Sequence, residues 1–260
     1  MEPSPRHAPV DAVILAAGKG TRMQSDLPKV MHEVAGRPMV HWVVDACRDA
    51  GASRIVVVVG HRAELVRDSL SDQSDVEFVT QEEQLGTGHA VDQAREALAG
   101  SPDHDVLVLC GDGPLIRTET LRILLDRHRE SGADATLATA VIEDPAGYGR
   151  IVRDENGDFA RIVEQKDADE TELAIREVNP SYYCFRTGRL FDRLSRTSND
   201  NANGEYYVTD VFGITRTDGD RVAVVDAVPA EDILSINTPD QLAEVDEILR
   251  ARLGRMEATR

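Results

Sequence analysis

A short apolar run, Val13-Ile14-Leu15, passes straight into the glycine turn Ala16-Ala17-Gly18-Lys19-Gly20-Thr21-Arg22-Met23, with Leu27-Pro28-Lys29 just beyond. A strand that empties into a tight glycine loop leaves few folds open. Such a loop presents backbone N–H groups at a strand's carboxyl end, and cations beside it complete a cradle for phosphate. Spacing excludes two common versions. A Walker loop ends in Gly-Lys-Ser/Thr, whereas Gly20 follows Lys19; a dinucleotide fingerprint needs a third glycine where Met23 stands. The segment predicts a nucleotide loop of another kind.

Lysine usage sharpens that expectation. Of 29 basic residues only Lys19, Lys29 and Lys166 are lysines, and two of them flank the glycine turn. Lysine is a compact point charge and arginine a planar fork, so they do not substitute freely at a phosphate. The placement points to an active site, against the bland alternative of an arginine-biased composition. The formal net charge of −18 argues against nucleic acid or an anionic membrane as partner. It also makes the cationic stretch over 19–37 a natural island for an anionic substrate.

Cys47, Cys110 and Cys184 are odd in number, far apart and set in apolar sequence, with neither disulfide nor metal spacing. A reducing, cytoplasmic setting is expected. Residues 1–9 are polar and proline-rich without an apolar signal core, and read as a flexible N-terminus. No segment approaches a membrane-spanning length.

Periodicity gives helices over 38–50, 63–70, 86–98 and 118–131, between apolar strands over 54–59, 76–79, 105–110 and 135–142. Strand and helix in alternation predict an α/β fold: a Rossmann-like, open, mainly parallel sheet with helices on both faces. Ligands in such sheets bind at strand carboxyl ends. The cradle after Leu15, Gln81 after Val79 and Asp112 after Cys110 all fall there. Beyond Gly147, short strands over 149–153, 159–164 and 178–186 predict a small antiparallel lobe. Helices over 203–215 and 239–255, with a strand over 221–228 between them, complete one expected domain over 10–260.

The segments LAAGKGTRM, QEEQLGTGHA, GYGRI, IVEQKDA and NGEYYVTD together resemble the N-terminal pyrophosphorylase domain of bacterial GlmU, a sugar-nucleotidyltransferase of the MobA-like NTP transferase family. The resemblance runs from about residue 11 to 242. It implies a GT-A-like nucleotidyltransferase fold and a Mg²⁺-dependent reaction, in which UTP and N-acetylglucosamine 1-phosphate give UDP-N-acetylglucosamine, for cell-wall biogenesis, and pyrophosphate. It implies nucleotide contacts at Leu15, Ala16, Ala17, Gly18, Lys19, Gly20, Gln81, Gly86 and Thr87. Arg22, Lys29 and Asp112 would act on the phosphates, and Asp112 with Asn237 would hold Mg²⁺. Gly149, Glu164 and Asn179 would contact the sugar, on a lobe of about 146–204 facing a nucleotide lobe of about 10–145 and 205–260. Each residue also has a plainer reading. Asp112 before a proline suits a turn, Asn237 suits a helix start, Glu164 a solvated strand and Gly149 backbone geometry alone.

Three features depart from the resemblance. The family's left-handed β-helix does not follow, so acetyltransferase activity and the trimer that the β-helix builds are not expected. Pro180-Ser181 follows Asn179 where Thr-Gly is usual, and Cys110 and Gly113 replace a tyrosine and an aliphatic residue. The alternatives are the same chemistry on another sugar 1-phosphate or nucleotide, or a non-catalytic nucleotide-sugar sensor. The oligomeric state stays open.

Overall fold

The computed structural model describes residues 8–226, 228–234 and 236–258, so most of the expected flexible N-terminus lies outside the described residues. The chain runs through β1 (Val10–Ala16), a hairpin of β2 (Glu33–Val34) and β3 (Arg37–Pro38), and α1 (Met39–Asp49). It continues with β4 (Ala52–Val59), α2 (Ala63–Ser69), β5 (Val76–Thr80), α3 (Thr87–Asp92), β6 (Asp105–Cys110) and α4 (Thr118–Ser131). Next come β7 (Ala135–Ala138), β8 (Ala140–Val141), β9 (Gly149–Arg153), β10 (Phe159–Val163), α5 (Glu170–Leu173) and β11 (Glu177–Asn179). It closes with β12 (Tyr182–Arg186), α6 (Thr187–Leu194), α7 (Asp210–Thr217), β13 (Val222–Val225) and α8 (Pro239–Glu257).

Seven strands form the main sheet in the order β13-β7-β12-β6-β1-β4-β5, parallel except for β12. The apolar runs explain its double burial. Val13, Val56, Val58, Val106 and Val108 face one core, while Ile14, Ile55, Val57, Leu107 and Leu109 face the other. A smaller antiparallel sheet has the order β10-β9-β11-β8. A third cluster joins Met23, Val34, Met39 and Leu115 to Val245 and Leu249 of α8. Met23, in the place of the missing third glycine, thus anchors the cradle to the last helix.

Several sequence expectations are corrected. The strand expected over 135–142 divides at Thr139, whose N–H donates to the Val225 carbonyl at 2.8 Å. Its first half, β7, lies in the main sheet and its second, β8, in the small one. The strand expected over 178–186 divides at Pro180-Ser181, so β11 belongs to the small sheet and β12 to the middle of the large one. A lobe drawn at 146–204 therefore crosses both sheets. The helix expected over 86–98 is regular only to Asp92, and the one over 203–215 begins at Asp210. Gly204 takes φ +66°, and the Tyr206 N–H donates to the Leu85 carbonyl at 2.8 Å, so this backbone is spent across the chain and not within a helix. Among the described residues no helix is long and apolar enough to cross a membrane.

Candidate active site

β1, β4, β5 and β6 end along one edge, and a cavity of about 260 Å³ opens there. Leu15, Ala17 and Gly18 from the glycine turn, Gln81, Gly86 and Thr87 from the segment after β5, and Lys29 and Asp112 line it. A Cβ on Gly18 would meet nothing within 4 Å, so this bare backbone faces open space. Gly20 serves otherwise. It takes φ +63°, and a Cβ there would lie 2.7 Å from Lys29 Cβ, so its missing side chain lets the loop close over Lys29. Ala16 is buried in the sheet, while Lys19 and Arg22 are exposed on the turn. These three, like Gly20, do not line the cavity.

The Gly86 side is built by tying two distant segments together. The Gly88 N–H donates to the Tyr206 carbonyl at 2.7 Å, and the Val208 N–H donates to Thr87 Oγ1 at 3.1 Å. Gly86 takes φ +106°, and a Cβ there would sit 2.5 Å from the Tyr206 carbonyl oxygen. Only glycine fits. Gln81 is buried, with Nε2 donating to the Gly86 carbonyl and to His89 Nδ1, both at 3.1 Å. Gln93 Nε2 lies 3.2 Å from the other His89 ring nitrogen, so His89 acts as a brace for Gln81.

At Lys29, distant oxygens converge on one cation. Lys29 Nζ donates to Asp112 Oδ2 and, at 2.7 Å, to Asn237 Oδ1. Arg22 donates to that same Asn237 oxygen at 2.8 Å. Asp112 follows β6, and Asn237 immediately precedes the Thr238 cap of α8. Two hard oxygens meeting on one ammonium suit a divalent ion that prefers oxygen and keeps waters or phosphates as its remaining ligands. Among the described residues no group of three or more His, Cys, Asp or Glu could hold a metal alone. Nearby, burial and the Asp112 charge push the Cys110 thiol up to about 12. It stays protonated and is no nucleophile.

A second cavity of about 210 Å³ adjoins the first, sharing Leu15, Thr87, Cys110 and Glu205. Glu164 lines it and accepts from Thr209 Oγ1 at 3.1 Å. Burial, outweighing that hydrogen bond, holds its carboxyl above the usual range. Gly149 lies behind the cavity lining beside Glu164, where a Cβ would make an ordinary contact with Oε2 at 3.5 Å. Asn179 pairs in register with Gly149 but does not line the cavity. Its Nδ2 donates to the Tyr183 hydroxyl at 2.7 Å, and its Oδ1 accepts the Ser181 N–H at 3.1 Å. Ser181 and Tyr183 line the cavity in its place.

Sequence reasoning gave no role to Gln84 or Glu205, which line the first cavity. Both lie inside quoted motifs, and that was the available signal. Lys166 stands apart from the cradle, donating to Asn203 Oδ1 at 2.7 Å.

Residues 12–205 match the MobA-like NTP transferase domain. The chain belongs to this family. Membership places it among nucleotidyltransferases, and closer relatives are identifiable. The bifunctional protein GlmU of Bacillus cereus strain G9842 is 51% identical over 244 residues, covering 94% of this chain and 52% of that protein. GlmU of Bacillus thuringiensis strain Al Hakam matches with the same identity and coverage. The chain thus spans about half the length of the curated relatives it matches. A crystal structure of UDP-glucose pyrophosphorylase complexed with UDP-glucose has a TM-score of 0.78, covering 94% of this chain and 99% of that one. At 17% identity, that likeness concerns the fold.

Proposed function

We propose that this chain is a Mg²⁺-dependent uridylyltransferase that makes UDP-N-acetylglucosamine and pyrophosphate from UTP and N-acetylglucosamine 1-phosphate. The observation that carries the reading is the meeting of Lys29, Arg22, Asp112 and Asn237 beside the cavity that the Gly18 turn, Gln81 and Gly86 line. The GlmU relatives support the choice of substrates. Asp112 and Asn237 would hold Mg²⁺, which when bound offsets the charge of the triphosphate.

A sugar 1-phosphate is already an anion and needs no general base. Its phosphate oxygen forms a bond to the α-phosphorus of UTP as the bond to the bridging α–β oxygen breaks, and pyrophosphate leaves. The chain must hold two polyanions in line and stabilise the departing charge. Lys29 and Arg22, with Lys19 on the turn, supply fixed positive charge at that point. Gln81, Gly86 and Thr87 would read the uracil edge. Glu164 would face the sugar, with Gly149 behind it and Asn179 shaping that wall through Ser181 and Tyr183. The two lobes would work as one catalytic unit on small molecules, and three free cysteines suit the cytoplasm.

A second reading, the same chemistry on a sugar 1-phosphate without the acetamido group, is favoured by one observation. The Asn179 amide is engaged by the turn through Pro180-Ser181. Pyrophosphate release across nucleoside triphosphates and sugar phosphates, with Mg²⁺ present, tests both. UTP with N-acetylglucosamine 1-phosphate is expected to dominate. Dominance of another sugar would favour the second reading, and UTP binding without any turnover would leave a sensor.

A further inference from the structure

The loop that carries Asp112 and the turn that carries Asn237 lie far apart in sequence, and one buried carboxylate fastens them together. Asp232 is wholly buried in the short turn Ala230–Ile233, five residues before Asn237. Its Oδ1 accepts from Arg252 NH2 at 2.7 Å and from Arg117 NH2 at 3.1 Å, and its Oδ2 lies 2.6 Å from Arg117 Nε. Arg117 closes the loop that begins after β6, five residues beyond Asp112. Arg252, from α8, also donates to the Leu115 carbonyl at 2.8 Å, in the middle of that loop.

The backbone repeats the connection. The Tyr182 hydroxyl donates to the Asp232 carbonyl at 2.9 Å, and a Cβ on Gly113 would lie 3.2 Å from that hydroxyl. The Tyr148 hydroxyl donates to the Ile233 carbonyl at 3.0 Å. The turn is thus held from β12, from α8 and from the Asp112 loop at once.

Resting on the metal reading above, we infer that Asp232, through Arg117 and Arg252, is a positioning residue that sets the separation of the Asp112 and Asn237 oxygens. Arg117 sets two nitrogens of its planar fork against the buried carboxylate, while Arg252 spans from Asp232 Oδ1 to the Leu115 carbonyl, so direction as well as distance between the two segments is fixed. Partners behind metal ligands commonly change metal affinity by about tenfold to a hundredfold when removed. Asp232 itself touches neither metal nor substrate. Its loss therefore acts on the ion and spares the nucleotide walls at Gly18 and Gly86.

The test compares Asp232→Asn with Arg117→Lys, which keeps the charge but loses the fork, and with Asp112→Asn. Mn²⁺ binding to the whole chain is read by paramagnetic resonance with UTP present, and metal-free UTP binding by calorimetry. Asp232→Asn is expected to weaken Mn²⁺ by about tenfold or more. Arg117→Lys should weaken it less, in the same direction, with metal-free UTP binding within about twofold for both. Unchanged Mn²⁺ affinity in a folded Asp232→Asn, while Asp112→Asn loses it, would overturn the positioning role. If Asp232→Asn does not fold, Arg117→Lys decides alone by the same split. Unchanged Mn²⁺ affinity in Asp112→Asn would instead sink the metal reading on which the role rests.

Discussion

The two cavities that meet at Leu15, Thr87 and Cys110 are built by different means. The nucleotide side turns on two glycine positions: the Gly18 turn, and the Gly86 loop tied to Tyr206 by main-chain hydrogen bonds and to Val208 through Thr87 Oγ1. The sugar side is mainly side chains: Glu164 held by Thr209, and Asn179 held by Tyr183 and its own turn. At Gly86 the nucleotide wall tolerates little change, because a Cβ there would collide with the Tyr206 carbonyl, whereas a Cβ at Gly18 would meet nothing. Side-chain walls can be re-cut one residue at a time, and it is on this side that Pro180-Ser181 departs from the usual family sequence. A nucleotidyltransferase so built would keep its nucleotide and vary its sugar.

The largest effect is expected at the junction. Asp112→Asn should lower turnover by about a thousandfold or more while the fold is retained, since the amide oxygen can still accept from Lys29 Nζ. Near-normal Mg²⁺-dependent turnover would remove Asp112 from the site. Next comes the backbone wall. Gly86→Ala forces a Cβ to within 2.5 Å of the Tyr206 carbonyl at φ +106°, a strain of about 1–3 kcal/mol. The variant should melt earlier and bind UTP at least about tenfold more weakly. Wild-type UTP affinity would break the contrast between the two walls.

On the sugar side, Glu164→Gln should act oppositely on stability and function. Burial raises the Glu164 carboxyl above its ordinary 4.5, so the folded state favours the protonated form. Wild-type stability from this group is full below that value and is lost as pH rises past it. Glutamine escapes the loss. The variant should therefore melt higher at neutral pH, converge with wild type in acid, and bind the sugar phosphate more weakly. A melting difference that grows as pH falls would contradict the burial argument.

The smallest effect is expected at Ser181, a non-glycine residue at φ +64°. Ser181→Gly relieves the left-handed strain but adds freedom to the unfolded chain, for a net gain of about 0.5 kcal/mol. The Asn179 turn itself should hold, because Asn179 Oδ1 accepts from the Ser181 backbone N–H, while any change in sugar preference would report the lost hydroxyl, which hydrogen-bonds Tyr183 and Cys110. Clear destabilisation would mean that the hydroxyl, not the backbone, supports this wall.

Much of this contrast was legible in the sequence, and its limits are physical. Helix α4 was readable to the residue, because its 3.6-residue pattern ends at Gly132 in a left-handed cap. The cradle and Asp112 could be placed because strands buried on both faces announce their carboxyl ends, and Gln81 because the apolar run of edge strand β5 stops there. The crossings at Thr139 and Pro180-Ser181 could not. Both sheets bury apolar residues there, so the pattern continues while the chain changes sheets. Glu205 comes to the cavity because its neighbour Tyr206 makes main-chain bonds to Leu85 and Gly88, which side-chain periodicity does not encode. Asp232 gave no signal at all, since its partners are contributed by a helix start and a distant helix.

The most direct measurement is a competition in one vessel. UTP and Mg²⁺ are supplied with equal N-acetylglucosamine 1-phosphate and glucose 1-phosphate, and the two UDP-sugars are resolved by mass. The account predicts that UDP-N-acetylglucosamine forms in large excess, with pyrophosphate released in equal amount. An excess of UDP-glucose would contradict it.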